Sequence, residues 1–323
     1  MNIIITGVAG FIGSRLALEI LKNKKNNVIG VDNIDNYYSI KLKKYRLKKL
    51  SIYKNFKFIK LDLKNRKNLK KLNYIKNVKI FYHLAAQAGV RYTLKEPIKY
   101  FDNNIKAFFN VLEYVKEKKI KKLFFASSSS VYGDQKKYPL NESSKLNEKN
   151  IYGFSKRINE TTAKLYSKLF NFQAIGLRFF TVFGEWGRPD MLIFKYLKAN
   201  TTNESFFLNS GGKHFRDFTY IDDVISILIK LKSVKLKRFD ILNICSNNPI
   251  NVLKVIKKIN KYNKNFKFKK SISSQLNKVE VNKTHGNNKK VLNIIRKFKF
   301  TDFDTSLNNT IRWYFENKIN NIS

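Results

Sequence analysis

Three groups of residues have the types and spacing needed to move a proton and hold an anion. Tyr152 and Lys156 stand four apart in Tyr152-Gly153-Phe154-Ser155-Lys156. On a helix they share a face, so an ammonium can lie beneath a phenol and favour its ionised form. Ser127 to Ser130 form a run of hydroxyls just past an apolar stretch, Lys121 to Ala126, although serines there can also simply cap a turn. Gly7, Gly10 and Gly13 are spaced G-x-x-G-x-x-G between an apolar run, Asn2 to Thr6, and an amphipathic segment, Ser14 to Lys22. One glycine allows a tight turn, one lets a pyrophosphate approach the backbone, and one lets the helix pack close to the strand. Asp32 closes a second apolar run, Val28 to Val31, where a carboxylate accepts hydrogen bonds from adenosine ribose hydroxyls. A Tyr-x-x-x-Lys pair arises by chance in many helices. The order of glycine turn, serine cluster and Tyr-Lys pair is what gives it weight.

The elements that must position these groups alternate strand and helix. Phe56 to Leu61 reads as a third strand leading to Asp62 and Leu63, and Lys79 to His83 as a fourth leading into Leu84-Ala85-Ala86-Gln87. Small residues past a strand end leave room for a ligand, because ligands in open α/β sheets lie at the carboxyl ends of the strands. Between these, Asn68 to Lys76 predicts a helix, as does Glu96 to Lys116, which contains Asn103 and Asn104. Lys121 to Ala126 is the fifth strand, Tyr152 to Phe170 a long helix, Ala174 to Phe180 a further strand, and the chain then loops to Met191. Beyond it, Ile250 to Tyr262 predicts a basic helix, Asn263 to Gly286 a strand and a long loop, and Leu307 to Phe315 a closing amphipathic helix. The fold class is α/β, a Rossmann-type doubly wound parallel sheet followed by a smaller C-terminal α/β domain.

Composition sets the bounds. A chain of 323 residues with 43% hydrophobic content can bury a full core. The net charge of +42 is unusual, but 54 of the 65 basic residues are lysines scattered through nearly every segment. A dedicated nucleic-acid surface would concentrate arginines in a patch or a recognisable module, so no specific nucleic-acid partner is expected. Cys245 is the lone cysteine and lies in an apolar run, which predicts a buried structural thiol. His83, His214 and His285 are far apart and lack metal-ligand spacing, so no metal is expected. No apolar run reaches membrane-spanning length and no apolar leader is visible, which predicts a cytoplasmic protein without a membrane partner.

The glycine turn, Asp32, the serine cluster and Tyr152 with Lys156 resemble the extended short-chain dehydrogenase/reductase family, and in particular its NAD-dependent nucleotide-sugar epimerases and dehydratases. Longer stretches carry the likeness across nearly the whole chain: DNIDNYYSIKLKKYRL from Asp32, HLAAQAGVRYTLKEP from His83, ASSSSVYG from Ala126, LRFFTVFGEWGRPDM from Leu177 and RDFTYIDDV from Arg216. They are most similar to the UDP-glucuronate 4-epimerase branch. The resemblance implies NAD held by Gly7, Gly10, Phe11, Ile12, Gly13, Asp32, Asn33, Asp62, Leu63, Leu84, Ala85, Ala86, Gln87, Asn103, Tyr152 and Lys156. It implies an NAD-binding domain over 1–175 and a nucleotide-sugar domain over 176–323 with exchanged segments, and a homodimer built on the helices around Glu96 to Lys116 and Tyr152 to Phe170.

The implied chemistry is oxidation of a sugar carbon to a ketone, turnover of the ketone, and reduction from the other face. Tyr152 takes the hydroxyl proton if its pKa, about 10 in isolation, is lowered by Lys156 and the nicotinamide cation. By alignment to the family motif Ser128 bonds the same oxygen, with Ser129 and Ser130 as neighbours; sequence does not separate the three. A 4-keto uronate is a β-keto acid that loses carbon dioxide unless its carboxylate is clamped, and Thr181 and Arg188 occupy the family positions for that task. Arg216 corresponds to the position facing the nucleotide diphosphate, and Arg91 is a second candidate in the same cleft. Asp222 and Asp223 read as helix-start residues. The chain departs from the family where Gln275 to Val279 lacks an acidic residue before the valine, and Lys283 follows where a basic residue is common. Other readings are a neutral-sugar 4-epimerase, a decarboxylase on the same substrate, and, from another class, a non-catalytic polyanion-binding protein on a Rossmann scaffold.

Overall fold

A computed structural model of the chain describes residues 1–262, 266–271 and 273–317. The strands in chain order are β1 (Asn2–Thr6), β2 (Asn27–Asp32), β3 (Phe56–Lys60), β4 (Val78–His83), β5 (Lys122–Ser128), β6 (Gln173–Phe179), β7 (Thr181–Phe183), β8 (Phe207–Asn209), β9 (Phe215–Tyr220), β10 (Phe239–Ile244), β11 (Pro249–Asn251) and β12 (Lys269–Ser271). The helices are α1 (Phe11–Leu21), α2 (Ile40–Ser51), α3 (Arg66–Leu69), α4 (Pro97–Tyr100), α5 (Ala107–Glu117), α6 (Ile151–Phe170), α7 (Leu192–Thr202), α8 (Ile221–Ser233), α9 (Val252–Ile259), α10 (Ser274–Val279), α11 (Lys289–Ile295) and α12 (Phe303–Glu316).

β1 shows why the main sheet is parallel and covered on both faces. Ile3, Ile4 and Ile5 are each 0% exposed although alternate strand residues point to opposite sides. Ile3 and Ile5 join Leu16 and Ile20 of α1 in one core, while Ile4 joins Phe108, Leu112 and Phe125 in another. The sheet has seven strands in the order β10-β6-β5-β4-β1-β2-β3, all paired in parallel. Its direction of winding reverses between β1 and β4, which is where an open α/β sheet leaves a crevice for a ligand. β10 comes from far beyond residue 175 and closes the edge beside β6. A three-stranded sheet, β11-β9-β7, and the pair β12-β8 are formed by the chain beyond β6.

Several expected elements differ. The helix predicted over Asn68 to Lys76 is only the short α3 followed by a 3₁₀ turn, Lys70–Leu72. Its buried residues Leu69, Leu72 and Ile75 are three apart, the period of a 3₁₀ coil rather than an α-helix. Thr181 lies on β7 rather than in a loop. The basic helix starts at Val252, because Ile250 is taken into β11 and Asn251 caps the helix through its side chain. The stretch read as strand and long loop contains α10, capped by the Ser273 hydroxyl accepting from Leu276 N–H at 3.2 Å; residues 263–265 and 272 of that stretch lie outside the described residues. α11 was not anticipated. The helix predicted over Glu96 to Lys116 forms, with a π turn over Phe101–Lys106. Cys245 is fully buried and unpaired, as expected.

Candidate active site

The local chemistry of the glycine turn builds an anion cradle. Gly7 has φ +71, and a Cβ there would lie 2.7 Å from Ala85 N; at Gly13 a Cβ would lie 2.1 Å from the Gly7 carbonyl. Larger residues would push the turn off the end of β4. α1 begins at Phe11 with no side-chain cap, which leaves the N–H groups of its first turn facing outward. Asp32, at the end of β2, accepts from Ala9 N–H at 3.1 Å and Ile34 N–H at 2.8 Å. Burial pushes its carboxyl pKa up against those bonds and the nearby Lys43 charge. The carboxylate therefore both braces the turn and stands ready for further donors.

Arg46 of α2 ties this turn to the loop that carries Arg188. Its guanidinium is 2% exposed and donates to the carbonyls of Ala9 at 3.0 Å, Trp186 at 2.5 Å and Gly187 at 3.0 Å, and to the Tyr38 hydroxyl at 2.7 Å. At the end of β4, Gln87 N–H donates to Asn104 Oδ1 at 2.8 Å, and Asn104 Nδ2 returns bonds to Gln87 O and Ser155 Oγ, both at 3.0 Å. Asn104 is thus the buried bracket, while its neighbour Asn103 faces the cavity from the π turn.

α6 delivers Tyr152 and Lys156. Its N-terminus is set by Asn150, which accepts from Gly153 N–H at 2.8 Å and donates to Val279 O at 3.0 Å. A Cβ on Gly153 would lie 2.4 Å from Ser130 O, so only glycine lets the helix approach the serine turn this closely. The Ser128 hydroxyl consequently reaches the Tyr152 phenol, and it accepts from Ser130 N–H at 3.1 Å. Ser127 turns away into the core and donates to Glu160 at 2.5 Å. Ser129 and Ser130 line the cavity beside Ser128. Ser127 is thus set apart from the three hydroxyls, Ser128 to Ser130, that face the cavity.

Lys156 is 1% exposed, and its Nζ has no hydrogen-bond partner among the described residues. It lies 5.9 Å from the centre of the Tyr152 ring. Burial lowers its pKa to about 7. The expected lowering of the Tyr152 pKa is not produced by the protein alone: burial pushes the phenol up, and Ser128 and the Arg188 charge only oppose it. In the protein alone the burial cost outweighs these opposing contributions, so the phenol stays above its ordinary pKa.

A cavity of about 850 Å³ runs along the strand ends and is also lined by residues of β7, β8 and β9. It is lined by every residue that the family resemblance assigns to cofactor or sugar, including Phe11, Ile12, Asn33, Asp62, Leu63, Leu84, Ala86, Thr181 and Met191 beside them. Arg188 also lines it, paired with Asp190, and its charge reaches Tyr152. At the far end, Arg91 donates to Glu280 at 2.7 Å and Arg216 donates to the carbonyls of Phe215 at 2.9 Å and Asn282 at 3.3 Å. Here the expected absence of an acidic residue is corrected. Glu280 immediately precedes Val281, two residues beyond the valine at which it was sought, and it lines the cavity. Asp222 and Asp223 start α8 and bond Arg15 and Thr301, outside the cavity. Among the described residues no cluster of three His, Cys, Asp or Glu could hold a metal, and no helix is long and apolar enough to cross a membrane.

The model of the NAD dependent epimerase/dehydratase family matches residues 3–245. The chain belongs to that family. Among its relatives, Protein CapI of Staphylococcus aureus is 44% identical over 232 residues, covering 72% of this chain and 69% of the relative. The UDP-glucuronate 4-epimerase of Thermodesulfobacterium geofontis is 38% identical over 251 residues, covering 77% and 76%. The crystal structure of a UDP-glucuronic acid 4-epimerase from Bacillus cereus, in complex with UDP-glucuronic acid and NAD, superposes with a TM-score of 0.89 at 28% identity over 98% of this chain and 99% of that one. In this family member the residues present fit NAD. The tight glycine turn with an uncapped helix, the Asp32 carboxylate and the unpartnered Lys156 ammonium match a pyrophosphate, an adenosine ribose and a nicotinamide ribose in turn.

Three residues that shape this site escaped the sequence reading. Arg46 stood unassigned within the quoted stretch DNIDNYYSIKLKKYRL, among several lysines of an amphipathic helix. Asp190 stood unassigned within the quoted motif RPDM. Glu280 was missed by a two-residue offset that the Glu-Val pair at 280–281 would have corrected.

Proposed function

We propose that this chain is an NAD-dependent nucleotide-sugar 4-epimerase that converts UDP-glucuronate to UDP-galacturonate through a transient 4-keto intermediate. The observation that carries this reading is the convergence in one cavity of the Ser128–Tyr152–Lys156 set with Arg188, whose charge is felt by the Tyr152 phenol. Bound NAD would supply a hydride acceptor and donor. Gly7, Gly10, Gly13 and Asp32 hold it on the adenosine side, and Lys156 on the nicotinamide side. Ser128 bonds the sugar hydroxyl that reacts, and Tyr152 accepts its proton and later returns it. Lys156 stabilises the phenolate while that proton is away. Arg188, with Thr181 in the same cavity, holds the uronate carboxylate out of line with the ketone, which keeps the β-keto acid intact. Arg216 and Arg91 receive the nucleotide diphosphate end.

The test is incubation with UDP-glucuronate, UDP-glucose and UDP-galacturonate, with products identified by NMR. Interconversion of the two uronates supports the reading. Turnover of UDP-glucose alone, or release of a pentose as main product from UDP-glucuronate, would replace it with the neutral-sugar or decarboxylase reading. An assembled proton-moving set argues against a polyanion binder that has lost catalysis.

The two-lobe reading, with NAD on 1–175 and the sugar nucleotide on 176–323, accompanies this proposal, β10 being the segment that crosses back. So does a homodimer. Phe101, Phe109, Phe154, Leu165 and Leu169 are exposed along α4 to α6, an apolar surface that a second copy would cover.

A further inference from the structure

The loop that carries Arg188 holds a charged group to which the chemistry above gives no task. Asp190 grips the Arg188 guanidinium along one edge: Nε donates to Oδ1 at 3.0 Å and Nη2 to Oδ2 at 2.5 Å. The Tyr37 phenol donates to the same Oδ2 at 3.0 Å. The Tyr37 ring also lies against the cation, 5.7 Å from the guanidinium carbon, and is held edge-on by Tyr92 at 4.8 Å. A guanidinium offers its N–H donors as a rigid fork with two bidentate edges, one through Nε and one across the two terminal nitrogens. Asp190 uses the first. Among the described residues Nη1 has no acceptor, so the second edge is left for a ligand in the cavity.

We infer that Asp190, steadied by Tyr37, is a positioning and specificity-determining residue: it fixes which edge of Arg188 meets an anionic group on the sugar, and it offsets the cation so that direction rather than net charge holds that group. The inference rests on the proposed uronate substrate. Without Asp190 the fork would attract a carboxylate more strongly, since a like charge beside it is gone, yet hold it in more than one orientation. In some of these the bond from ring to carboxyl carbon aligns with the 4-keto group. That bond then breaks, carbon dioxide leaves, the electron pair enters the ketone as an enolate, and a proton replaces the carboxylate.

Asp190→Asn and Tyr37→Phe test this in the NAD-loaded enzyme. Affinities for UDP-glucuronate and UDP-glucose are read by calorimetry in a Tyr152→Phe background, where no turnover is needed, and products of UDP-glucuronate are read by mass spectrometry with Tyr152 intact. Asp190→Asn is expected to raise the UDP-glucuronate to UDP-glucose affinity ratio about fivefold, and the decarboxylated fraction at least ~fivefold. Tyr37→Phe should raise the fraction less, with the ratio nearly unchanged. A merely structural role would weaken both sugars together and leave the fraction alone. An unchanged affinity ratio in Asp190→Asn, or an unchanged decarboxylated fraction in both variants, overturns the inference. Failure of the parent enzyme to form UDP-galacturonate would instead count against the proposed function, and the calorimetric ratio still decides the role of Asp190.

Discussion

Replacing Lys156 with methionine should stabilise the NAD-free protein while destroying its activity. The Nζ atom is buried without a partner, and burial lowers its pKa from 10.5 to about 7. At ~1.4 kcal/mol per tenfold, that difference amounts to roughly 5 kcal/mol of unfavourable free energy when the group is charged in the folded state. Its pH dependence has a definite sign. Between pH 7 and 10.5 the unfolded chain holds a proton on this lysine that the folded chain has given up, so folding becomes more favourable as pH rises across that window. Below it the full burden remains. Methionine keeps the length of the stem and removes the charge. Lys156→Met should therefore raise the stability of NAD-free protein by about 4–5 kcal/mol near pH 7. The gain should shrink with rising pH and vanish near pH 10.5. Urea midpoints of both proteins at about pH 6.5, 8.5 and 10.5 measure it. Saturating NAD should narrow the gain, because ribose hydroxyls give the ammonium partners that methionine cannot use. A lower midpoint for Lys156→Met at neutral pH, or a gain independent of pH, would refute the argument that this ammonium is held at a cost until a ligand arrives.

Tyr152→Phe should lower turnover by roughly 10²–10⁴-fold, the usual worth of a general acid–base group, while bound NAD, measured by absorbance after denaturation, stays near the parent level; parallel loss of both would remove Tyr152 from its role. Arg188→Ala should raise the pentose fraction formed from UDP-glucuronate, and mass spectrometry showing the parent ratio would take Arg188 out of the clamp. Cys245, fully buried with its thiol pKa pushed up by that burial, should react with a chromogenic disulfide reagent only after denaturation. Rapid reaction of the native protein would contradict its placement.

Much of the fold was legible because it repeats a short-range signal. Each core strand is a brief apolar run, and each ends where a small or chemically capable residue follows, so Gly7, Asp32, Ala85 and Ser128 could be placed at strand ends from order alone. The cavity residues were legible for the same reason, since strand ends converge. Partnerships across the fold were not. That Ser128 rather than Ser127 meets Tyr152 depends on which face of β5 each occupies and on the closeness that Gly153 permits. The Asp190–Tyr37 contact spans two loops that periodicity cannot bring together. The part of the chain after residue 180 was read least well, because its strands are mostly three residues long, too brief for a period to show.

The bonds of Arg46 bear on how such a cleft can be changed. One guanidinium fastens the carbonyls of Ala9, Trp186 and Gly187 together, so the glycine turn and the loop that carries Arg188 share a single rivet supplied by α2. Loops 184–191 borrowed from a relative with another sugar preference would inherit that rivet only if their backbone presented two carbonyls to it. A graft that did not would leave a buried cation short of acceptors and slacken the cofactor's turn, so specificity here is transplantable as a pair of segments and not as one loop.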